Sequence, residues 1–273
     1  MISPHTKIIL LGTGTPNADP DRSGPSVAIV VDQTPHIIDF GPGVVRRAAA
    51  ARLPIQELKR AFLTHLHSDH TAGYPDLILT PWTLGRLTPL DVYGPPGIQE
   101  MTDHVLAAYH EDIAERLHGL EPANTTGCQV LAHEIEPGIV FKDSHIRVEA
   151  FLVDHGSLQS FAFKFDTPDR TIVISGDTAP TERMVEEAFN CDVLIHEVYS
   201  ARGLQRRPSD WQQYHKSVHT STRELADIAS RARPGLVILY HQLFWGVSED
   251  ELVAEIKQIY NGKVVSGRDL DVY

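Results

Sequence analysis

His65-Leu66-His67-Ser68-Asp69-His70 follows the apolar run Ala61-Phe62-Leu63-Thr64, and its reading decides the fold. Metal-binding side chains crowd into this hexad at a strand end, where the chain must turn. Such a turn can aim His65 and His67 at one cation while Asp69 and His70 reach a second. Imidazole and carboxylate suit zinc and similar borderline metals without any thiolate. A His-rich surface loop is the bland alternative, and ligands downstream weigh against it.

Each further candidate sits at the end of an apolar stretch. His155 follows Ala150 to Asp154, Asp177 follows Thr171 to Gly176, and His241 follows Leu236 to Tyr240. Taken singly, His155 or His241 reads more readily as a satisfied histidine. Three strand ends offering one ligand each is how a sheet edge assembles a binuclear site.

The rest of the chain bounds the answer. Its 273 residues suffice for a large core, and one domain over 1–273 is expected. The net charge of −12 repels polyanions and does not favour nucleic acid through counterion release. Cys128 and Cys191 make neither a disulfide framework nor a thiolate zinc site. Without a signal-like start or an apolar stretch of spanning length, a cytoplasmic protein is the expectation, with no membrane partner. Gly12-Thr13-Gly14 invites a dinucleotide reading, but no third glycine opens a helix after it.

Strands are predicted at Lys7–Leu11, Val27–Val31, His36–Phe40, Leu90–Tyr93, Ile146–Val153, Phe161–Phe165, Thr171–Ser175, Val193–Ile195 and Leu236–Leu239. Asp32 to Pro35 should join the second and third. Helices are predicted after Gly43 to about Arg52, over Pro75–Thr88, from Ile98 to about Leu120, over Thr222–Arg231 and over Glu249–Ile259. Strands dominate early and helix–strand alternation follows, an α/β (α+β) pattern.

The ordered pieces resemble the metallo-β-lactamase superfamily, in its ribonuclease Z-like and arylsulfatase-like branch. They are Leu-Leu-Gly-Thr-Gly-Thr-Pro at 10–16, Arg-Ser-Gly-Pro-Ser at 22–26, Asp-Phe-Gly-Pro-Gly at 39–43, the Thr64-headed hexad, Tyr-Gly-Pro-Pro-Gly at 93–97, Ser-Gly-Asp-Thr at 175–178 and Ile-His-Glu-Val at 195–198. The resemblance implies a four-layer αββα sandwich with a binuclear metal site at the sheet edge. It places His65, His67 and His155 on the first of two divalent metals, and Asp69, His70 and His241 on the second. Asp177 bridges them, and Asp39 supports the hexad. Zinc is expected, although manganese or iron suit the same ligands.

Two divalent cations, set against Asp69, Asp177 and a bridging hydroxide, leave the centre about one charge positive. That favours a monoanionic ester or a developing oxyanion, with the hydroxide as nucleophile. His219 of His219-Thr220-Ser221-Thr222 resembles the branch's general acid, and Glu197 of His196-Glu197 its orienting partner. With Asp69 they are the catalytic candidates. The lesser alternative for His219 is a residue at a helix start capped by Ser221 or Thr222. His104, His110, His118, His133 and His145 read as surface residues.

The reading is therefore a zinc-dependent hydrolase of a small, anionic ester, a phosphodiester or aryl sulfate before a lactone. The alternative is a tRNA 3′-processing endoribonuclease of ribonuclease Z type, and behind it a non-catalytic metal-stabilised binding protein. Nucleic acid is not expected as a partner, because the chain is acidic and no glycine- and basic-rich arm fits between His155 and Ser175. A homodimer is expected from the branch. Arg202, Arg206, Arg207, Trp211 and Tyr214, between Glu197 and His219, could grip an anionic or aromatic substrate or form a solvated loop.

Overall fold

Apolar runs with β-branched residues at both ends of the chain set two sheets, described over residues 6–273 of this computed structural model. The described residues form two compact units that share the chain in an interleaved way. One comprises Lys7–Gly12, Pro16–Ile135 and Asp269–Tyr273; the other is built chiefly from Glu136–Arg268.

In the first unit the strands are β1 (Lys7–Gly12), β2 (Ser26–Val31), β3 (Thr34–Ile38), β4 (Arg60–Phe62), β5 (Leu90–Gly94) and β6 (Val130–Glu134), in that spatial order. The first three pair antiparallel and the rest parallel. Asp32 and Gln33, with φ of 48° and 70°, turn β2 tightly into β3. A two-residue turn with both φ positive matches the twist of paired strands, so Thr34 and Pro35 belong to the strand rather than to the loop. The helices are α1 (Val44–Ala50), α2 (Ser68–Thr71), α3 (Tyr74–Thr83), α4 (Ile98–Ala108) and α5 (His110–His118). The long helix expected from Ile98 is broken at Tyr109; α4 buries Ile98 and Thr102, whereas α5 has no buried residue. Phe40 stacks on Tyr74 at 4.6 Å within a core that includes Leu11, Ile37, Leu63 and Val92.

In the second unit the order is β13 (Val264–Ser266), β12 (Leu236–Leu243), β11 (Val193–Tyr199), β10 (Thr171–Ile174), β9 (Leu158–Asp166), β8 (Arg147–His155) and β7 (Gly138–Lys142). β10 to β13 pair parallel, and β7 to β10 antiparallel. Parallel neighbours need crossovers. These are supplied by α6 (Glu182–Glu187), then α7 (Ala201–Leu204), α8 (Ser209–Val218) and α9 (Thr222–Ala232), then α10 (Glu249–Lys257). In α9, Leu225, Ile228, Ala229 and Ala232 recur at helical spacing and are buried with Leu194, Val237 and Leu252. Truncating Leu225 should cost about 2–5 kcal/mol. Ser221 starts α9 with a capping box to Glu224, so His219 ends α8 rather than starting α9. Two sheets with their helices meet the α/β expectation. Among the described residues no helix is long and apolar enough to cross a membrane.

Candidate functional site

In the first unit the hexad leaves β4 and turns into α2, with Asp69 and His70 buried and His67 half-buried. One carboxylate braces it. Asp39 accepts hydrogen bonds from the Thr64 backbone N–H at 2.8 Å and from Thr64 Oγ1 at 3.0 Å, and lies 2.8 Å from His70 Nδ1. Thr64 Oγ1 is in turn 3.0 Å from His65 Nδ1. Asp39 itself holds φ 57°, a left-handed conformation costly for a residue with a side chain and typical of functional sites. The glycine-rich pieces gain a physical reason here. A Cβ on Gly24 would stand 2.8 Å from the Asp69 carbonyl oxygen, and one on Gly41 only 2.4 Å away. The loops before and after β2 and β3 thus close onto the hexad backbone.

His65 Nε2 and His67 Nδ1 are 3.0 Å apart, and His70 Nε2 lies 3.6 Å from Asp69 Oδ2. With Nδ1 of His65 and His70 committed as donors to Thr64 and Asp39, each Nε2 carries its lone pair. That is the form in which imidazole binds a metal.

The second unit gathers its candidates from separate strand ends. His155 closes β8, and its Nδ1 donates to the Val218 carbonyl at 2.8 Å, again leaving Nε2 for a cation. Burial lowers its pKa, with Asp177 pulling partly the other way. Asp177 Oδ2 lies 3.9 Å from His155 Nε2 and 3.4 Å from His241 Nε2. His241 lies within β12, which runs on to Leu243, and not beyond a strand ending at Leu239. The pairing of β11 with β12 shifts register here: Glu197 faces Tyr240 and Val198 faces Gln242. His241 is the extra residue of that bulge, at φ 43°, and the bulge aims its ring at Asp177.

Glu197 is fully buried in β11. Its Oε1 accepts from the N–H groups of Thr178 (3.2 Å) and Thr220 (3.0 Å) and lies 3.1 Å from His219 Nδ1. Its own N–H donates to Ser175 Oγ. Glu197 therefore clamps both the Ser-Gly-Asp-Thr turn that carries Asp177 and the loop that carries His219. Ligand atoms of Asp177, His219 and His241 lie within 4.8 Å of one another. His219 thus lies against Glu197, and Asp39 bonds to the hexad through Thr64 and His70.

Other histidines sort as their context suggested. His104, His110, His118 and His145 are exposed, and half-buried His133 pairs with Asp91. Buried His196 has its pKa lowered by desolvation and sits 2.6 Å from the Glu197 carbonyl. Thr64 and Val218 were not legible as site residues, since a threonine and a backbone carbonyl carry no spacing signal. Arg206 bonds the Gly246 carbonyl and Arg202 pairs with Glu251. Trp211 and Tyr214 are exposed on α8, and Arg207 is half-buried in the turn before it.

The donor set fits divalent cations: imidazoles, three of them (His65, His70 and His155) with Nδ1 committed elsewhere, and two carboxylates, ligands that zinc accepts. A family model for a beta-lactamase superfamily domain matches residues 35–242, a stretch containing both ligand groups, Asp39, Glu197 and His219. The chain belongs to the metallo-β-lactamase superfamily of hydrolases. Within it, a Ribonuclease Z of Mycobacterium bovis (strain BCG / Pasteur 1173P2) is 31% identical over 271 residues, 97% of this chain and 96% of that protein. Among solved structures, the metallo-beta-lactamase fold protein YhfI from Bacillus subtilis matches at TM-score 0.79 and 18% identity, over 98% of this chain and 99% of that one. The short form of human tRNase Z matches at TM-score 0.76 and 22% identity, over 98% of each chain.

These relatives correct the partner expectation. Nucleic acid is not expected from the acidic net charge and the missing basic arm, yet a superfamily relative matching almost end to end is a ribonuclease by name. The error is physical: −12 is a sum over the whole surface, whereas a phosphate is drawn by the field at the site it enters.

Proposed function

We infer that this metallo-β-lactamase-fold hydrolase cuts RNA phosphodiesters, as a tRNA 3′-processing endoribonuclease of ribonuclease Z type. This reading takes the place of the small-ester preference. The observation that carries it is the Ribonuclease Z likeness over 97% of the chain. The buried His219–Glu197 pair beside Asp177 and His241 supports it.

On this reading His65, His67 and His155 would hold one cation, Asp69, His70 and His241 a second, and Asp177 would serve both. Zinc is the ion the donors fit best. When bound, the cations activate water and neutralise charge on the phosphate under attack. The protein's own work is orientation and proton transfer. Asp39, Thr64 and the Val218 carbonyl hold the tautomers of His70, His65 and His155, which orients those three rings before binding. Glu197 accepts from His219 Nδ1–H and so favours the imidazolium form, whose Nε2–H gives its proton to the departing ribose oxygen and leaves a neutral ring still bonded to Glu197. A purely binding role would have no use for that pair.

The test is cleavage of a precursor tRNA carrying a 3′ trailer, compared with an aryl phosphodiester, an aryl sulfate and a lactone. A single cut at the 3′ side of the acceptor stem is expected. Turnover of a small ester with the precursor left intact would overturn the RNA reading.

A further inference from the structure

Beside His219 stands a cluster that the hydrolytic scheme leaves unused. The Arg207 guanidinium carbon lies 5.7 Å from the ring centroid of Trp211 and 5.9 Å from that of Trp245. Its Nε is buried without a hydrogen-bond partner, and no carboxylate of the described residues pairs with it. His215, only 8% exposed, packs 4.5 Å from Trp245, 5.7 Å from Trp211 and 5.5 Å from His219. Its Nδ1 also lacks a partner. Outermost are Trp211 and Tyr214, 47% and 43% exposed, with rings edge to face at 5.8 Å.

Each part has a cost that a ligand would offset. Buried N–H and ring nitrogen atoms without acceptors are unfavourable, and two large exposed rings in a mixed polar helix contribute nothing to the core. A guanidinium flanked by indoles keeps its planar N–H edge for a phosphate. An exposed indole beside it offers a stacking face that any base can use.

Resting on the RNA reading above, we propose that Arg207 and Trp211 form the subsite for the nucleotide that carries the leaving oxygen. Trp211 stacks on its base and Arg207 binds its backbone phosphate. The side of the cut follows from chemistry: His219 gives its proton to that nucleotide's ribose oxygen, and the cluster reaches His219 through His215. Tyr214 closes the outer wall. Arg207 and Trp211 are thus positioning and specificity residues, not proton carriers.

Trp211→Ala, Trp211→Phe, Arg207→Ala and Arg207→Lys in the metal-loaded protein test this on two substrates. One is a precursor tRNA; the other is methyl 4-nitrophenyl phosphate, a diester with no base. Each alanine variant should lower the RNA-to-diester ratio of kcat/KM about tenfold, mostly through KM, as expected for one lost base stack or phosphate contact. Trp211→Phe should recover most of the loss and Arg207→Lys little of it. A ratio unchanged within twofold would overturn the proposal, because a merely structural role lowers both substrates together. A second readout needs no turnover: a phosphorothioate hexaribonucleotide should quench tryptophan fluorescence, with affinity about tenfold weaker in Arg207→Ala. If the wild type fails to cut RNA yet shows this quenching and its loss, the RNA-cleavage reading falls and the subsite stands. Absence of quenching in the wild type overturns the subsite.

Discussion

The hexad and the strand-end ligands reach the same kind of geometry by opposite routes. His65, His67, Asp69 and His70 come from one turn and lean on one brace, Asp39, through Thr64 and His70. His155, Asp177 and His241 come from three separate strands and are held by backbone pairing: a carbonyl of α8, a turn pinned to Glu197, and a bulge in β12. The first group fails through its brace, and the second through its register. On the proposed reading, proton transfer belongs to the second group, whose scaffold includes the paired His219 and Glu197.

That contrast breaks first if proton transfer and metal binding prove inseparable. His219→Ala should reduce kcat on precursor tRNA about 10³-fold while metal content stays at the wild-type value, measured by single-turnover kinetics and elemental analysis. Asp39→Ala should do the reverse. It removes the acceptor of three buried donors, so metal affinity should fall about 10–100-fold, with a loss of about 3 kcal/mol of stability in a urea titration. If Asp39→Ala binds metal as the wild type does, the brace is not the hexad's support.

Gly41→Ala probes the same side through sterics. The added methyl meets the Asp69 carbonyl oxygen, and a shift of the loop should destabilise the protein by about 1–3 kcal/mol. Wild-type stability would show that the close approach is relaxed at no cost. The smallest effect concerns His215 in the second unit. Burial first, then the charges of His219, Arg207 and His241, lower its pKa to about 4. The unfolded chain therefore binds a proton near the ordinary histidine pKa while the folded chain does not, so this residue's contribution makes stability fall as pH drops from about 6.5 towards 4. His215→Leu should flatten that acid slope in Tm; an unchanged slope would count against the assignment.

What the sequence disclosed follows the same division. The hexad was readable because its ligands are contiguous and need no tertiary knowledge to be grouped. His155, Asp177 and His241 were readable as strand-end residues, yet β8 was read as ending before His155 and β12 before His241. A bulge is a property of pairing between strands, and no single strand's pattern contains it. The break at Tyr109 was hidden for a related reason: α4 and α5 carry continuous helical patterns, and only burial separates them. The charge argument went wrong because composition averages over a surface that a substrate samples locally.

Metal stoichiometry tests the central claim most directly. Elemental analysis of the purified, zinc-reconstituted chain should find about two ions per chain, and fewer in Asp177→Ala with its fold intact by circular dichroism. One ion or none in the wild type, or a content untouched by Asp177→Ala, would contradict the proposed two-metal ligand set.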